Sequence, residues 1–165
     1  MVVIVMGIVG SGKSTVGSAL AERLGWQFAD ADSFHSPENI DKIGRGIPLT
    51  DADRAPWLAA MSDAIRSWTR DGKDVVLACS ALKHAYRDQL RAGPVRFIYL
   101  KGTADTILNR LRQRHGHFAD QKILESQFAT LEEPTTDEPD VTAVGVDASP
   151  AEIVEKIVIE LNLPA

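Results

Sequence analysis

The first fifteen residues constrain the fold of this chain more than any other stretch. A short apolar run, Val2 to Met6, passes directly into a glycine-rich segment, Gly7 to Thr15, with the sequence GIVGSGKST. This is the pattern G-x-x-x-x-G-K-[ST] of the P-loop, and it lies in the required place between a strand and a helix. A glycine-rich turn that binds nothing is disfavoured, because every fixed position matches and both flanks agree.

Each fixed position of this loop has a chemical reason. Glycines allow backbone N–H groups to turn inward around phosphate oxygens, and the positive end of the following helix points at the same anion. Lys13 can then reach the β- and γ-phosphates, and the Ser14 hydroxyl can ligate Mg²⁺. The sequence therefore predicts a site for ATP and Mg²⁺. Its phosphate-binding residues are expected to be Gly7, Gly10, Ser11, Gly12, Lys13, Ser14 and Thr15.

The composition excludes several other classes of protein. A length of 165 residues predicts a single domain, 1–165, and a net charge of −5 argues against a nucleic-acid or anionic membrane surface. The single cysteine, Cys79, excludes an internal disulfide and fits a reducing cytoplasm. The apolar start is too short for a signal peptide or a membrane span. We therefore expect a cytoplasmic protein that binds neither nucleic acid nor membrane.

Apolar strands alternate with helices along the chain. Strands are predicted at 2–6, 26–29, 74–79, 95–100 and 141–146. Ser36 and Ser149, each followed by proline, are predicted helix N-caps, and Pro56 is expected to begin the long part of a helix that starts near Thr50. This alternation predicts an α/β fold with a five-stranded parallel sheet covered on both faces. Ligands of such sheets bind at the carboxyl ends of the strands.

Two carboxylates follow the second predicted strand. ATP bound at the loop needs a carboxylate linked to magnesium and, for a small acceptor, a base for the acceptor hydroxyl. The strand at 74–79 ends without an acid, so Asp30 and Asp32 are the candidates. On an extended chain both point to the same side, which suits one to magnesium and the other to the acceptor. The alternative is a turn that uses both as caps. His35 could contact an acceptor hydroxyl or lie on a surface loop.

A pair of basic residues follows the third predicted strand. Lys83 and Arg87 are spaced i, i+4, so we expect them on one face at the start of a helix over 83–91. Cations at a helix N-terminus are unfavourable unless an anion joins them. The pair therefore predicts an anion site, and the alternative is a solvated face.

A second basic group lies near the middle of the chain. Arg110, Arg112 and Arg114 precede Gly116, which offers a hinge. A mobile basic flap could close over the triphosphate and stabilise charge in the transition state. The alternative is a basic helix end that is stabilised by its own dipole.

Six sequence blocks resemble the gluconate kinases, or gluconokinases. They are GIVGSGKSTVG, DADSFH, GIPLTDADRAPWL, CSALKHAYRD, RHGHF and SQFATLEEP, and the resemblance runs from residue 1 to about 155. The P-loop alone would indicate only a superfamily, whereas CSALK and SQFATLEEP are much more specific. The resemblance implies a three-layer P-loop NTPase fold with a nucleoside-monophosphate-kinase-like core, related to shikimate kinase. It also implies a lid at about 114–125 and homodimeric assembly.

The resemblance implies an activity and roles for particular residues. The activity is phosphorylation of D-gluconate at its 6-hydroxyl by ATP and Mg²⁺. By similarity with shikimate kinase, Asp30 would be the magnesium-side acid, and Asp32 would be the acceptor-side acid and candidate base. Lys13 would join it in catalysis. The other implied residues are Arg54, Lys83, Arg87, His35 and Gln127 around the acceptor, and Arg110 and Arg114 as catalytic residues of the lid.

Three other functions share parts of this pattern. A shikimate or other small-acid kinase would share every part and differ in pocket shape. A nucleoside monophosphate kinase would need a base-recognising pocket in 33–57, where Phe34 is the one clear aromatic candidate. A non-catalytic ATP-binding regulator would keep the P-loop without needing the carboxylates or the Lys83 and Arg87 pair.

Overall fold

Five parallel strands form the central sheet of the computed structural model. The structure describes residues 1–115 and 118–164, but not the side chains of residues 114–120. The strands are β1 (Val2–Met6), β2 (Gln27–Asp30), β3 (Val75–Ala78), β4 (Val95–Lys101) and β5 (Val141–Gly145). Their order in the sheet is β2-β3-β1-β4-β5. The predicted parallel sheet is confirmed, and each predicted strand end agrees to within one residue.

Helices cover both faces of the sheet. Within the described residues they are α1 (Lys13–Leu24), α2 (Pro37–Gly44), α3 (Asp51–Arg70), α4 (His84–Leu90), α5 (Ala104–His115), α6 (Phe118–Thr130) and α7 (Pro150–Glu160). None of these helices has the length and hydrophobicity that crossing a bilayer requires.

Strand β1 is buried on both faces and separates two apolar cores. Ile4 and Met6 point into a core that contains Met61 and Ile65 of α3. The alternate residues of the strand pack instead among side chains of α1 and α7. This alternation follows from the two-residue period of a strand, and burying each large apolar side chain contributes about 1.5–3 kcal/mol. The resulting three layers hold β1 rigidly, and the P-loop leaves from its carboxyl end.

Side-chain caps set the starts of three helices. Ser36 and Ser149 cap α2 and α7 as predicted, with each side chain accepting from a backbone N–H. Thr50 and Asp53 form a capping box for α3. The prediction for Pro56 was wrong, because α3 begins at its cap and runs through the proline without interruption. The capping box fixes the first turn of α3, so the helix starts at Asp51, five residues before Pro56.

Candidate active site

The loop between β1 and α1 has the backbone shape of a phosphate cradle. Gly10 and Gly12 have φ values of 78° and 96°, in the left-handed region that favours glycine. Space is also restricted at Gly10, where an added Cβ would lie 2.9 Å from the Leu111 side chain. Helix α1 begins at Lys13, directly after a residue that has no side chain to cap it. Its first N–H groups therefore remain for an anion.

Ser11 adds a second sign that the loop fits a polar group. The residue is only 1 % exposed, and among the described residues its Oγ has no hydrogen-bond partner. Leaving a buried hydroxyl unpaired costs about 1–3 kcal/mol. A phosphate group held by the loop would be placed to satisfy it.

Lys13 lies beside the two candidate acids. Its Nζ donates to the carbonyl oxygen of Ile8 at 3.0 Å. Burial lowers the pKa of the Lys13 ammonium, while the negative charges of Asp32 and Asp30 act in the opposite direction. Both candidate acids therefore favour the charged form of Lys13.

Ser14 and Asp30 form a pair of oxygen ligands. The Ser14 Oγ donates to Asp30 Oδ2 at 2.7 Å. Hydroxyl and carboxylate oxygens are the donors that Mg²⁺ prefers, so this pair fits the ion. The part of the chain that the structure describes has no group of three or more histidine, cysteine or acidic residues arranged to hold a metal ion. A magnesium ion here would complete its coordination with phosphate and water oxygens, as is usual for this metal.

Asp30 and Asp32 do not lie on one extended strand, so the prediction that their side chains point to the same side for that reason was wrong. After Asp30 the chain turns into a short 3₁₀ helix, Ala31–Phe34, so Asp32 does not follow along an extended strand. Asp30 caps this helix, and its Oδ1 accepts from the Asp32 N–H at 3.0 Å. The negative charge of Asp32 nevertheless acts on both Lys13 and His35. The Asp32 carbonyl accepts from the His35 N–H at 3.3 Å, so this short helix also carries the chain from Asp30 to His35.

His35 is held in one orientation by its neighbours. Its ring stacks on Trp57, with ring centroids 4.5 Å apart and planes within 8°. Its Nδ1 lies 3.4 Å from the Asn39 side-chain nitrogen. Burial lowers the pKa of His35, which favours the neutral imidazole that can exchange hydrogen bonds with a hydroxyl. Trp57 itself donates to the Ala31 carbonyl at 2.7 Å, which ties α3 to the acid-bearing turn.

A cluster of polar groups lies at the start of α3 and α4. Lys83 Nζ lies 3.1 Å and 3.2 Å from the two carboxylate oxygens of Asp51. The Tyr86 hydroxyl donates to the same carboxylate, and Arg54 Nη1 lies 3.4 Å from that hydroxyl. Hydrogen bonds from Tyr86 and Lys83 lower the pKa of Asp51. Sequence reasoning identified Arg54 and Lys83 but missed Asp51 and Tyr86.

Arg87 is not part of that cluster, and the prediction that it faces a substrate was wrong. The residue is 0 % exposed. Two of its nitrogens bind the Glu138 carboxylate at 2.7 Å, and its remaining N–H groups donate to three backbone carbonyls. All five guanidinium donors are therefore used inside the protein. Lys83 is the N-cap of α4 and lies outside the helix, so the two residues do not share a helical face.

The buried Arg87–Glu138 pair gives a prediction on stability. Replacing Glu138 by glutamine leaves Arg87 as an unpaired buried charge, which should lower the free energy of unfolding by about 3–5 kcal/mol. Urea unfolding at pH 7 measures this change. Glu155→Gln is the matched control, because Glu155 pairs with Arg23 at the surface and such pairs contribute about 0–1 kcal/mol.

The same pair predicts a pH dependence. Hydrogen bonds from Arg87, followed by those from Arg91, lower the pKa of Glu138 from 4.5 to about 2. A folded-state pKa below the unfolded one stabilises the protein fully above pH 4.5, and that stabilisation is lost as the pH falls towards 2. The wild type should lose stability across this window more steeply than Glu138→Gln. Equal slopes for both proteins would contradict the assignment.

Gln127 and Arg110 lie on the nucleotide side of the loop. Gln127 Oε1 accepts from the Val9 N–H at 2.6 Å, which places it against the P-loop and not against the polar cluster at the start of α3 and α4. Arg110 donates to the carbonyl of Val146, just after β5. It lines a cleft of about 340 Å³ together with the P-loop and Pro150. The predicted hinge at Gly116 and the side chain of Arg114 lie outside the described residues.

Cys79 follows β3 beneath the P-loop. It is buried in the apolar core, as predicted, and its N–H donates to the Val5 carbonyl at 3.1 Å. Burial raises the pKa of its thiol to about 12. Cys79 therefore packs as a small apolar side chain.

The chain is similar to known sugar-acid kinases over nearly its whole length. The shikimate kinase family model matches residues 9–162. The gluconokinase of Gluconobacter oxydans (strain 621H) is 45 % identical over 157 residues, which cover 94 % of this chain and 88 % of that protein. The thermoresistant gluconokinase of Escherichia coli (strain K12) is 46 % identical over 162 residues, which cover 93 % of each. The crystal structure of a gluconokinase from Sinorhizobium meliloti 1021 superposes with a TM-score of 0.88 at 44 % identity, over 97 % of this chain and 90 % of that one.

Proposed function

The chain belongs to the gluconokinase family, and we propose that it transfers the terminal phosphoryl group of ATP to the 6-hydroxyl of D-gluconate. One observation carries this proposal. One short turn, which carries Asp32, joins the phosphate loop to His35: Asp30 accepts from the Ser14 hydroxyl at 2.7 Å, and the Asp32 carbonyl accepts from the His35 N–H at 3.3 Å. The phosphate site and the proposed acceptor site therefore adjoin along this turn.

The nucleotide half of the site is built around the P-loop. Its inward-facing N–H groups and the start of α1 suit the phosphates of ATP. The cleft lined by Arg110 and Pro150 continues from the loop and is large enough for part of the nucleoside. Ser14 and Asp30 would hold Mg²⁺, which supplies positive charge to the phosphates during transfer.

The acceptor half of the site combines cations with hydroxyl-binding groups. Arg54 and Lys83 supply positive charge for the carboxylate of a sugar acid, and Arg54 also lies within 5.9 Å of the Tyr86 ring centre. Asp51 and His35 supply groups that exchange hydrogen bonds with hydroxyls. A short polyhydroxy acid carries both a carboxylate and several hydroxyls, so it matches this set.

The reaction itself needs mainly positioning and charge stabilisation. The 6-hydroxyl oxygen forms a bond to the γ-phosphorus as the bond from that phosphorus to the β,γ-bridging oxygen breaks. The hydroxyl proton passes to Asp32, and ADP leaves with the bridging oxygen. Lys13 stabilises the charge that develops on the transferred group.

Three further features belong to the proposal. Homodimeric assembly is supported by the family resemblance. Cytoplasmic location is supported by the composition, with its single buried cysteine. Closure of a lid at about 114–125, with Arg114 reaching the phosphates, is supported by the run of arginines before Gly116.

Measuring ATP consumption with a panel of acceptors tests the proposed function. The panel contains gluconate, shikimate, glycerate and nucleoside monophosphates at equal concentrations. We expect kcat/KM for gluconate to exceed that of every other acceptor by at least about 10²-fold, because unpaired polar groups in a site reject ligands that cannot satisfy them. The ³¹P spectrum of the product should show a triplet, since a phosphate on carbon 6 couples to two protons.

Each other outcome of the panel assigns a different function. A preference for shikimate or glycerate would indicate another small-acid kinase, and a preference for nucleoside monophosphates would indicate a nucleotide kinase. ATP binding without consumption in the presence of any acceptor would indicate a regulator.

A further inference from the structure

The peptide group between Ile8 and Val9 is held by hydrogen bonds at both ends. Its carbonyl oxygen accepts from Lys13 Nζ at 3.0 Å and from the Ser11 N–H at 3.2 Å. Its N–H donates to Gln127 Oε1 at 2.6 Å. Gln127 is 118 residues away in the sequence, so this contact joins α6 to the first turn of the P-loop.

The orientation of this peptide group is set by rotation about ψ of Ile8 and φ of Val9. Glycines lie outside these two residues, at positions 7 and 10, with φ values of 151° and 78°. Because glycine restricts its backbone little, the chain on either side can follow such a rotation, and the hydrogen bonds of the peptide group oppose it. Turning would point the carbonyl in a new direction and remove the acceptor on which Lys13 rests.

Packing places Gln127 at this position. The Ile8 side chain is buried in a small apolar cluster with Leu111 of α5 and Leu124 of α6, and Phe128 packs against the same cluster. In sequence, Gln127 lies between Leu124 and Phe128, the two α6 residues of this cluster. The helix is therefore anchored on the P-loop by apolar contacts, and the glutamine adds one polar contact with a defined direction.

From this geometry we infer that Gln127 is a positioning residue for the P-loop, which sets the place of Lys13 and the affinity for the nucleotide. It acts through the Ile8–Val9 peptide and not by contact with the acceptor hydroxyls. The hydrogen bond also commits the Val9 N–H to the protein, so the phosphate-facing N–H groups begin after it. Hydrogen bonds at both ends of one amide strengthen each other, which makes the orientation of this group sensitive to Gln127.

The inference rests on the proposed kinase function for its nucleotide, and the test uses ADP and ATP as probes. Gln127→Met keeps the length of the side chain and removes the acceptor, and Gln127→Asn keeps an amide that is too short to reach. Gln89→Met is the matched control, because Gln89 is exposed on α4, away from the loop. Calorimetric titration gives the Kd for ADP without any acceptor present, and steady-state kinetics give both KM values.

For Gln127→Met and Gln127→Asn we expect the Kd for ADP and the KM for ATP to rise about tenfold, equivalent to about 1.4 kcal/mol. The KM for gluconate should stay within about twofold of wild type, and the control should match wild type throughout.

Three results would overturn the inference. A rise in the KM for gluconate with unchanged ADP affinity would place Gln127 on the acceptor. Unchanged values throughout would show that the Val9 contact has no effect on binding. Equal losses in both affinities together with a lower Tm would show a role in folding alone. Failure of the proposed function is distinguishable, because wild type would then not phosphorylate gluconate while the ADP titrations would remain interpretable.

Discussion

Replacement of Lys13 by alanine is expected to lower kcat by at least about 10³-fold. The side chain supplies the one lysine cation of the P-loop, which the proposed mechanism uses to stabilise the charge that develops on the transferred phosphoryl group. Its Nζ also contacts the Ile8 carbonyl, but that oxygen keeps its bond from the Ser11 N–H at 3.2 Å. The loop should therefore keep its shape in the variant, and the loss should reflect the missing charge.

The measurement is kcat at saturating ATP and gluconate, together with circular dichroism to verify folding. Lys73→Ala is the matched control, because Lys73 is exposed in the turn after α3. A Lys13→Ala enzyme with a rate within tenfold of wild type would remove the phosphate role assigned to this residue.

Replacement of Asp32 by asparagine is expected to lower kcat by about 10²–10⁴-fold, the usual contribution of a general base. Asparagine keeps the size of the side chain but cannot accept the hydroxyl proton. The backbone of the 3₁₀ helix should be unaffected, because the cap that starts it is the side chain of Asp30. Both KM values should stay close to those of wild type.

Separate determination of kcat and both KM values tests this assignment. Asp63→Asn provides the control, since Asp63 pairs with Arg66 on the exposed face of α3. A change in the KM for gluconate alone would mean that Asp32 orients the acceptor and takes no proton. Phosphoryl transfer demands little proton transfer from the protein, which is why the two parameters must be separated.

The sheet and the phosphate loop could be predicted because their signals are local. A strand buried on both faces is an unbroken apolar run, and the P-loop is a fixed pattern within nine residues. Topology brought the acids after β2 to the same edge of the sheet as the P-loop, whereas the choice of Asp30 as the acid beside Ser14 came from the resemblance to shikimate kinase. Asp30 combines the two interpretations that the sequence left open, because it caps the 3₁₀ helix and also contacts Ser14.

The basic residues were harder to assign because charge does not reveal its partner. Arg87 and Lys83 look alike in sequence, yet Arg87 is neutralised by Glu138, which lies 51 residues further along the chain. The directions of the two side chains also depend on the residue at which α4 begins. The helix begins at His84 and not at Lys83 as predicted, so Lys83 lies outside it. Asp51 has the sequence signature of a helix start, and nothing local indicates that Lys83 and Tyr86 converge on it.

The burial of Cys79 has a practical consequence for experiments that attach dyes to introduced cysteines. The thiol is 1 % exposed and burial raises its pKa, so it carries little reactive thiolate at pH 7 and is shielded from reagents. Maleimide dyes should therefore leave the native chain unlabelled while it is folded. A cysteine introduced at an exposed position of α2 and another on α7 would form a donor–acceptor pair, so that single-molecule energy transfer could measure changes in the distance between these two helices without first removing a native thiol.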